Sequence, residues 1–286
     1  MSYLVGIEGL VSQFVEAKAV RLLKARSRDV NGSSSPIFIL ISGPQGSGKT
    51  YNATKLCEQL RGKFRTVGLS IDDFYLPYNA QQEVNKRFKD NPLLQGRGMP
   101  GTHDLKLLKG VISRLVQNEG IVKLPRYDKS KYAGKGDRLQ VTLDVKLPVD
   151  FVILEGWFLG FQPVPQEELP KYSDFCSALA LQQVNEYLKA YSDAIWRNKQ
   201  LVTLGVVFAT DDMQNVYRWR LQQEHELIKV QGTGMSDAEV VSFLDRYFVG
   251  YRVYYERLVS DQSLGNTNNI TIGLDLQRTI TYVSEK

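Results

Sequence analysis

Cysteine is scarce in this chain of 286 residues. Cys57 and Cys176 are the only two, far apart and in no metal-ligand spacing, so neither a disulfide framework nor a thiolate metal site is expected. Long apolar runs are missing as well. None approaches the roughly 20 residues that span a bilayer, and the amino-terminal segment lacks the basic start and apolar stretch of a secretory signal. No membrane partner and a reducing, cytoplasmic setting are therefore expected, with both thiols buried as structural residues. Nor is charge of one sign concentrated. The 36 Lys and Arg against 31 Asp and Glu give a net charge of +5, but they are scattered and accompany no DNA- or RNA-binding signature, so nucleic acid is not an expected partner. A basic face suited to small anions is a sufficient account. The hydrophobic fraction of 43% and the charged fraction of 23% are those of an ordinary globular chain with ample core. We read residues 1–286 as one domain.

What is present begins at Gly43-Pro-Gln-Gly-Ser-Gly-Lys-Thr50. This is G-x-x-x-x-G-K-[ST], set between the apolar run Ile37–Ile41 and helix-compatible sequence from Tyr51, and that strand–loop–helix context distinguishes a P-loop from a chance match. Its function is to wrap phosphates. Backbone N–H groups of Gly43, Pro44, Gln45, Gly46, Ser47 and Gly48, apart from the proline, can curl around the phosphates of ATP. Lys49 supplies a point charge there, and the Thr50 hydroxyl is a ligand for Mg²⁺.

Further strands are expected at Thr66–Ile71, Phe151–Leu154 and Val202–Ala209, with a terminal β-like segment over 270–283. Helices are expected at about 3–30, 51–62, 104–118, 172–198, 213–229 and 236–259. The alternation predicts an α/β fold of the P-loop nucleoside-triphosphate hydrolase type, a mostly parallel sheet with helices on both faces. Tyr187, Tyr191, Trp196, Tyr247 and Tyr251 recur near helical spacing and read as packing against the sheet.

Chemistry concentrates at the carboxyl ends of those strands, where open α/β sheets bind ligands. Asp72 and Asp73 follow the second strand. A carboxylate there can take a proton from a substrate hydroxyl or hold water on Mg²⁺, and Tyr75 can line an acceptor pocket; one of the two acids is expected merely to cap a turn. Glu155 follows the third strand in the position of a Walker-B acid, a second candidate for Mg²⁺. The loops 97–104, 124–130 and 134–138 bring His103, Asp104, Arg126, Tyr127, Lys129 and Arg138 as candidates for acceptor binding; Asp104 can equally cap the helix that begins near Leu105. On the helix near 213–229, within a lid region of about 211–230, Arg218 or Arg220 can neutralise a phosphoryl group in transit, or either can pair with Glu224 on its own helix.

These strings resemble a known family. The P-loop, Asp72-Asp-Phe-Tyr75 and Glu155-Gly156 are similar to the kinase branch containing uridine, phosphoribulo- and pantothenate kinases. Gly101-Thr-His-Asp104, Pro125-Arg-Tyr-Asp-Lys-Ser130, Gly136-Asp-Arg138, Tyr217-Arg-Trp-Arg-Leu-Gln222 and Gly234-Met-Ser-Asp237 resemble its glycerate-3-kinase-like subgroup. The resemblance implies a nucleoside-kinase-like fold, ATP as donor, Asp72 as general base, Asp104 and Tyr75 at the acceptor, and a lid around Arg218. The expected activity is ATP-dependent phosphorylation of a small metabolite's hydroxyl, with glycerate as the leading acceptor and a nucleoside or pantothenate-like alcohol as the alternative. A GTPase would carry Asn-Lys-x-Asp and a nucleic-acid motor further motifs, and neither is present. A non-catalytic ATP-binding regulator would not need Lys49, Thr50, Asp72 and Glu155 intact.

Overall fold

Apolar, β-branched runs build the centre of the molecule, and the computed structural model describes residues 6–26 and 35–286 around them. Helix α1 (Ile7–Arg26) precedes strand β1 (Ile37–Ser42), and the P-loop then leads into α2 (Lys49–Arg61) and β2 (Thr66–Ser70). The remainder of the expected helix at about 3–30 lies outside the described residues, apart from Gly6, which precedes the helix. A 3₁₀ turn (Ile71–Phe74), α3 (Tyr78–Arg87) and α4 (Leu105–Gln117) follow. Two antiparallel ladders come next: β3 (Ile121–Leu124) pairs with β6 (Leu143–Lys146), and between them β4 (Tyr127–Asp128) pairs with β5 (Asp137–Arg138). The chain continues through β7 (Phe151–Gly156), α5 (Ala178–Ala194), β8 (Val202–Ala209), α6 (Gln214–Gln231) and α7 (Asp237–Gly250). A π turn (Tyr251–Tyr255), α8 (Glu256–Asp261), β9 (Asn268–Leu274) and β10 (Ile280–Glu285) complete it.

The main sheet runs β10-β9-β8-β1-β7-β2, parallel except for β10, which returns antiparallel to β9. All six residues of β1 and of β7 are buried, as a strand covered on both faces must be. Helices α1 and α2 pack on each other and on the sheet. From β1 the chain goes to β2 and back to β7 on one side and then crosses to β8 on the other, and the crevice at such a switch point is where α/β sheets hold ligands.

Several expected elements change shape. The helix over 172–198 runs only over Ala178–Ala194, starting where the Ser177 hydroxyl accepts the Ala180 N–H, and Tyr172 instead closes a 3₁₀ segment, Gln166–Tyr172. The helix over 236–259 begins in a Ser236–Glu239 capping box but is interrupted by the π turn. The terminal segment 270–283 is a hairpin rather than one strand. Helix α3 and the β3–β6 ladder were not expected from the sequence, and the β4–β5 ladder lies within the expected loops 124–130 and 134–138. Cys57 is buried, whereas Cys176 is half-buried, against the expectation that both thiols are interior.

Candidate active site

The sheet register delivers the acidic residues to one edge. Ser70 of β2 stands opposite Glu155 of β7, and Ser42 at the end of β1 stands opposite Gly156. The Ser70 hydroxyl accepts the Asp72 N–H at 3.3 Å, turning the chain into the 3₁₀ segment that carries both aspartates. Segments 74–76 and 102–104 then pair: Leu76 N–H donates to the Thr102 carbonyl (3.0 Å) and Asp104 N–H to that of Phe74 (2.8 Å). This stacks the Tyr75 ring on His103, with centroids 4.3 Å apart.

The P-loop is braced from outside by three elements. Gly46 has φ +80°, and a Cβ there would drive into Trp219 of α6. Trp219 is anchored in turn by its indole N–H on the Leu276 carbonyl (2.7 Å). Arg278, in the β9–β10 turn, donates from Nε to the Gly46 carbonyl (2.7 Å) and from Nη1 to Gln222 (3.0 Å). Tyr251 of the π turn takes the Gln45 N–H on its hydroxyl (3.0 Å) and donates to the Gln45 side-chain oxygen. Gly46→Ala should therefore cost about 1–3 kcal/mol from overpacking and a left-handed φ combined, read as a lower midpoint in urea; an unchanged midpoint would contradict this contact. Beside these residues a cleft of about 900 Å³ opens between Gly46–Gly48, Tyr51, Gln223, Arg278 and the start of α1.

Within the loop's reach lies a coupled charge cluster. Burial lowers the Lys49 ammonium, against the opposing pull of Glu155 and Asp72. Burial raises the Glu155 carboxyl, against the pull of Lys49. Asp72 would also rise by burial, but the Lys129 ammonium, 2.6 Å away, together with Lys49 and other neighbours, holds it down at about 2. Thr50 is exposed on the first turn of α2, and its hydroxyl and the Glu155 and Asp72 carboxylates are among the hard oxygen donors at this edge. Among the described residues no group of three or more His, Cys, Asp or Glu could cage a metal. Mg²⁺ suits such a sparse set, since it keeps waters and phosphate oxygens as ligands.

The other sequence candidates divide by what they touch. Asp73 accepts from Arg126 (2.9 Å) and from the Tyr127 N–H (3.3 Å), which makes it the anchor of that loop. Asp104 spends one oxygen capping α4 at Leu107 N–H (2.9 Å) and the other on Arg138 (3.1 Å), so the capping alternative describes it. Arg138 also donates to the Tyr75 carbonyl (2.9 Å) and thereby clamps backbone. His103 is buried and stacked on Tyr75, its Nδ1 is 2.9 Å from the Tyr191 hydroxyl, its Nε2 has no hydrogen-bond partner among the described residues, and burial pushes its imidazole down to about 3. Tyr127 stands edge-on to Tyr75 at 5.3 Å. Arg220 is paired with Glu224 at 2.7 Å, the same-helix alternative, while Arg218 is exposed. Trp219, between the two arginines, packs against Gly46 of the P-loop.

Sequence reasoning missed Arg278 and the contact of Tyr251 with the P-loop. Arg278 gave no signal, being more than 200 residues from Gly46 in the chain. Tyr251 had one, its place in the aromatic stripe, but packing explained the spacing without a second role.

No family model matches this chain. A probable ATP-dependent kinase of Saccharomyces cerevisiae, TDA10, is 46% identical over 258 residues, 87% of this chain and 88% of that protein. The chloroplastic D-glycerate 3-kinase of Arabidopsis thaliana is 36% identical over 247 residues, 84% of this chain and 52% of that protein. The solved structure of a D-glycerate 3-kinase from Cryptococcus neoformans superposes with a TM-score of 0.85 at 29% identity, covering 97% of this chain and all of that one. With the P-loop, the parallel sheet and these relatives taken together, the chain belongs to the family of P-loop, ATP-dependent small-molecule kinases that includes TDA10 and D-glycerate 3-kinase.

Proposed function

We propose that the protein transfers the γ-phosphoryl group of ATP, with Mg²⁺, to a hydroxyl of a small hydroxy acid such as glycerate, and that Asp72 accepts the hydroxyl proton. The observation that carries this reading is the position of Asp72: it leaves the end of β2 at the same sheet edge as Glu155 and couples electrically to Lys49 of the P-loop. The P-loop amides and Lys49 hold the phosphate chain, and Thr50 and Glu155 are the groups suited to the metal. Bound there, Mg²⁺ would neutralise charge on the β- and γ-phosphate oxygens. Asp72 remains ionised throughout the working pH range and so can orient the hydroxyl as an acceptor before any proton moves. Lys129, ion-paired with Asp72 at 2.6 Å, adds a second positive charge close to where the phosphoryl group would transfer. The names of the two D-glycerate kinases favour glycerate over a nucleoside. An ADP-release screen across glycerate, other sugar acids, nucleosides and pantothenate tests the acceptor: glycerate should give the strongest signal, and a clear signal from a nucleoside with none from glycerate would overturn it.

The Asp72–Lys129 pair also carries a pH prediction. The Asp72 value is depressed below the ordinary ~3.9, so the ion pair's stabilisation is complete above that range and is lost as pH falls through about 2. Lys129→Met removes the strongest opposing charge and leaves burial, which pushes the carboxyl up. The acid limb of kcat/KM should then move to higher pH by roughly one to three units. An acid limb that stays in place would show that Asp72 is not the titrating base.

A further inference from the structure

The basic side chains around the acceptor edge are not equivalent. Arg126 is held by Asp73 at 2.9 Å, Lys129 by Asp72 at 2.6 Å and Arg138 by Asp104 at 3.1 Å. Each of these charges already has a carboxylate, so an arriving anion would compete with a covalently tethered partner. Arg97 is different. Its Nη1 donates to the Gly134 carbonyl at 2.6 Å and its guanidinium lies 5.9 Å from the Tyr127 ring centroid, yet among the described residues it forms no ion pair with a carboxylate. A guanidinium has five N–H donors in a planar fork that matches a carboxylate two at a time, and that one described bond leaves most of them available.

The backbone that presents Arg97 is fixed. Gly98 N–H donates to the Thr102 hydroxyl (3.0 Å), and the Gly98 carbonyl accepts the Trp157 indole N–H (3.1 Å). Gly98 has φ +137°, and a Cβ on it would strike the Tyr247 hydroxyl, so the Tyr247 phenol lies against Gly98, the residue next to Arg97. The Tyr127 ring that the Arg97 guanidinium approaches stands edge-on to Tyr75 at 5.3 Å, and Tyr75 directly follows the 3₁₀ turn that carries Asp72. Arg97 and Asp72 therefore flank the Tyr127–Tyr75 pair, with the positive end at Arg97 and the proton acceptor at Asp72.

We infer that Arg97 receives the carboxylate of the acceptor, with the Tyr247 hydroxyl beside it, and that this contact sets the preference for a hydroxy acid over a neutral alcohol. The inference rests on the acceptor reading above and gives the carboxylate to Arg97 in place of Arg126 or Arg138.

A charge comparison tests it. ADP release is measured with D-glycerate and with its neutral amide, glyceramide, for the wild-type protein, Arg97→Met and Arg97→Lys. The wild type should prefer the acid. Arg97→Met should raise the glycerate KM by roughly 10- to 100-fold, the worth of one charge-assisted pair, leave the glyceramide KM and the ATP KM unchanged, and so collapse the acid-over-amide preference. Arg97→Lys should recover part of it. Persistence of the full preference in Arg97→Met overturns the assignment to Arg97 and leaves the acceptor reading standing. A wild type that uses glyceramide as well as glycerate overturns the assignment to Arg97 and leaves the acceptor reading standing, and one that uses neither overturns both.

Discussion

Lys49→Met should reduce phosphoryl transfer by at least about 10²–10³-fold, the usual consequence of removing one preorganised charge from a developing oxyanion, and should weaken ATP binding measurably in calorimetry. The side chain sits where the P-loop meets two carboxylates, Glu155 and Asp72, and its ammonium is lowered by burial against their pull. Without it Lys129 is the cation left beside Asp72 and the P-loop has lost its own charge, so both binding and turnover should suffer. Burial of Asp72 and Glu155 without Lys49 also costs stability, and Lys49→Arg, which keeps the charge but not the geometry, separates the two effects. A stable Lys49→Arg protein that is still slow supports the role in transfer, and full turnover in either variant contradicts it.

Asp72→Asn should bind ATP normally yet transfer roughly 10²–10⁴-fold more slowly, the range for loss of a positioned general base. The amide keeps the shape and the backbone capping by Ser70, and it releases Lys129 from its ion pair. Asp73→Asn is the natural control, because Asp73 serves the Arg126 and Tyr127 loop rather than the cluster. Its expected effect is on stability and acceptor KM. A loss of kcat confined to Asp73→Asn would exchange the two roles.

Much of this site was legible because it is local in sequence. The P-loop, the pair Asp72-Asp73 and Glu155 each follow an apolar run, and a parallel sheet brings the ends of such runs to one edge without further information. The partners of those residues were not legible, because each is set by tertiary contact. Nothing in the sequence spacing tells that Lys129 reaches Asp72 across 57 positions, or that Arg126 and Arg138 are consumed by Asp73 and Asp104. Asp104 shows the limit well: a cap and an acceptor ligand call for the same residue type in the same place, and only the bonds to Leu107 and Arg138 separate them. The short ladders β3–β6 and β4–β5 escaped for a related reason. Their strands are two to four residues long, too short for a period of two to stand out against turn-forming neighbours.

The central claim is that Asp72 and the P-loop together move the γ-phosphoryl group of ATP onto a small hydroxy acid. It is tested most directly by following the label from [γ-³²P]ATP in a single turnover with excess protein and D-glycerate, for the wild type and Asp72→Asn in parallel. Label should appear in phosphoglycerate at the rate of ADP formation in the wild type, and far more slowly in Asp72→Asn at equal ATP occupancy. Label released only as inorganic phosphate, or transferred equally fast by Asp72→Asn, would contradict it.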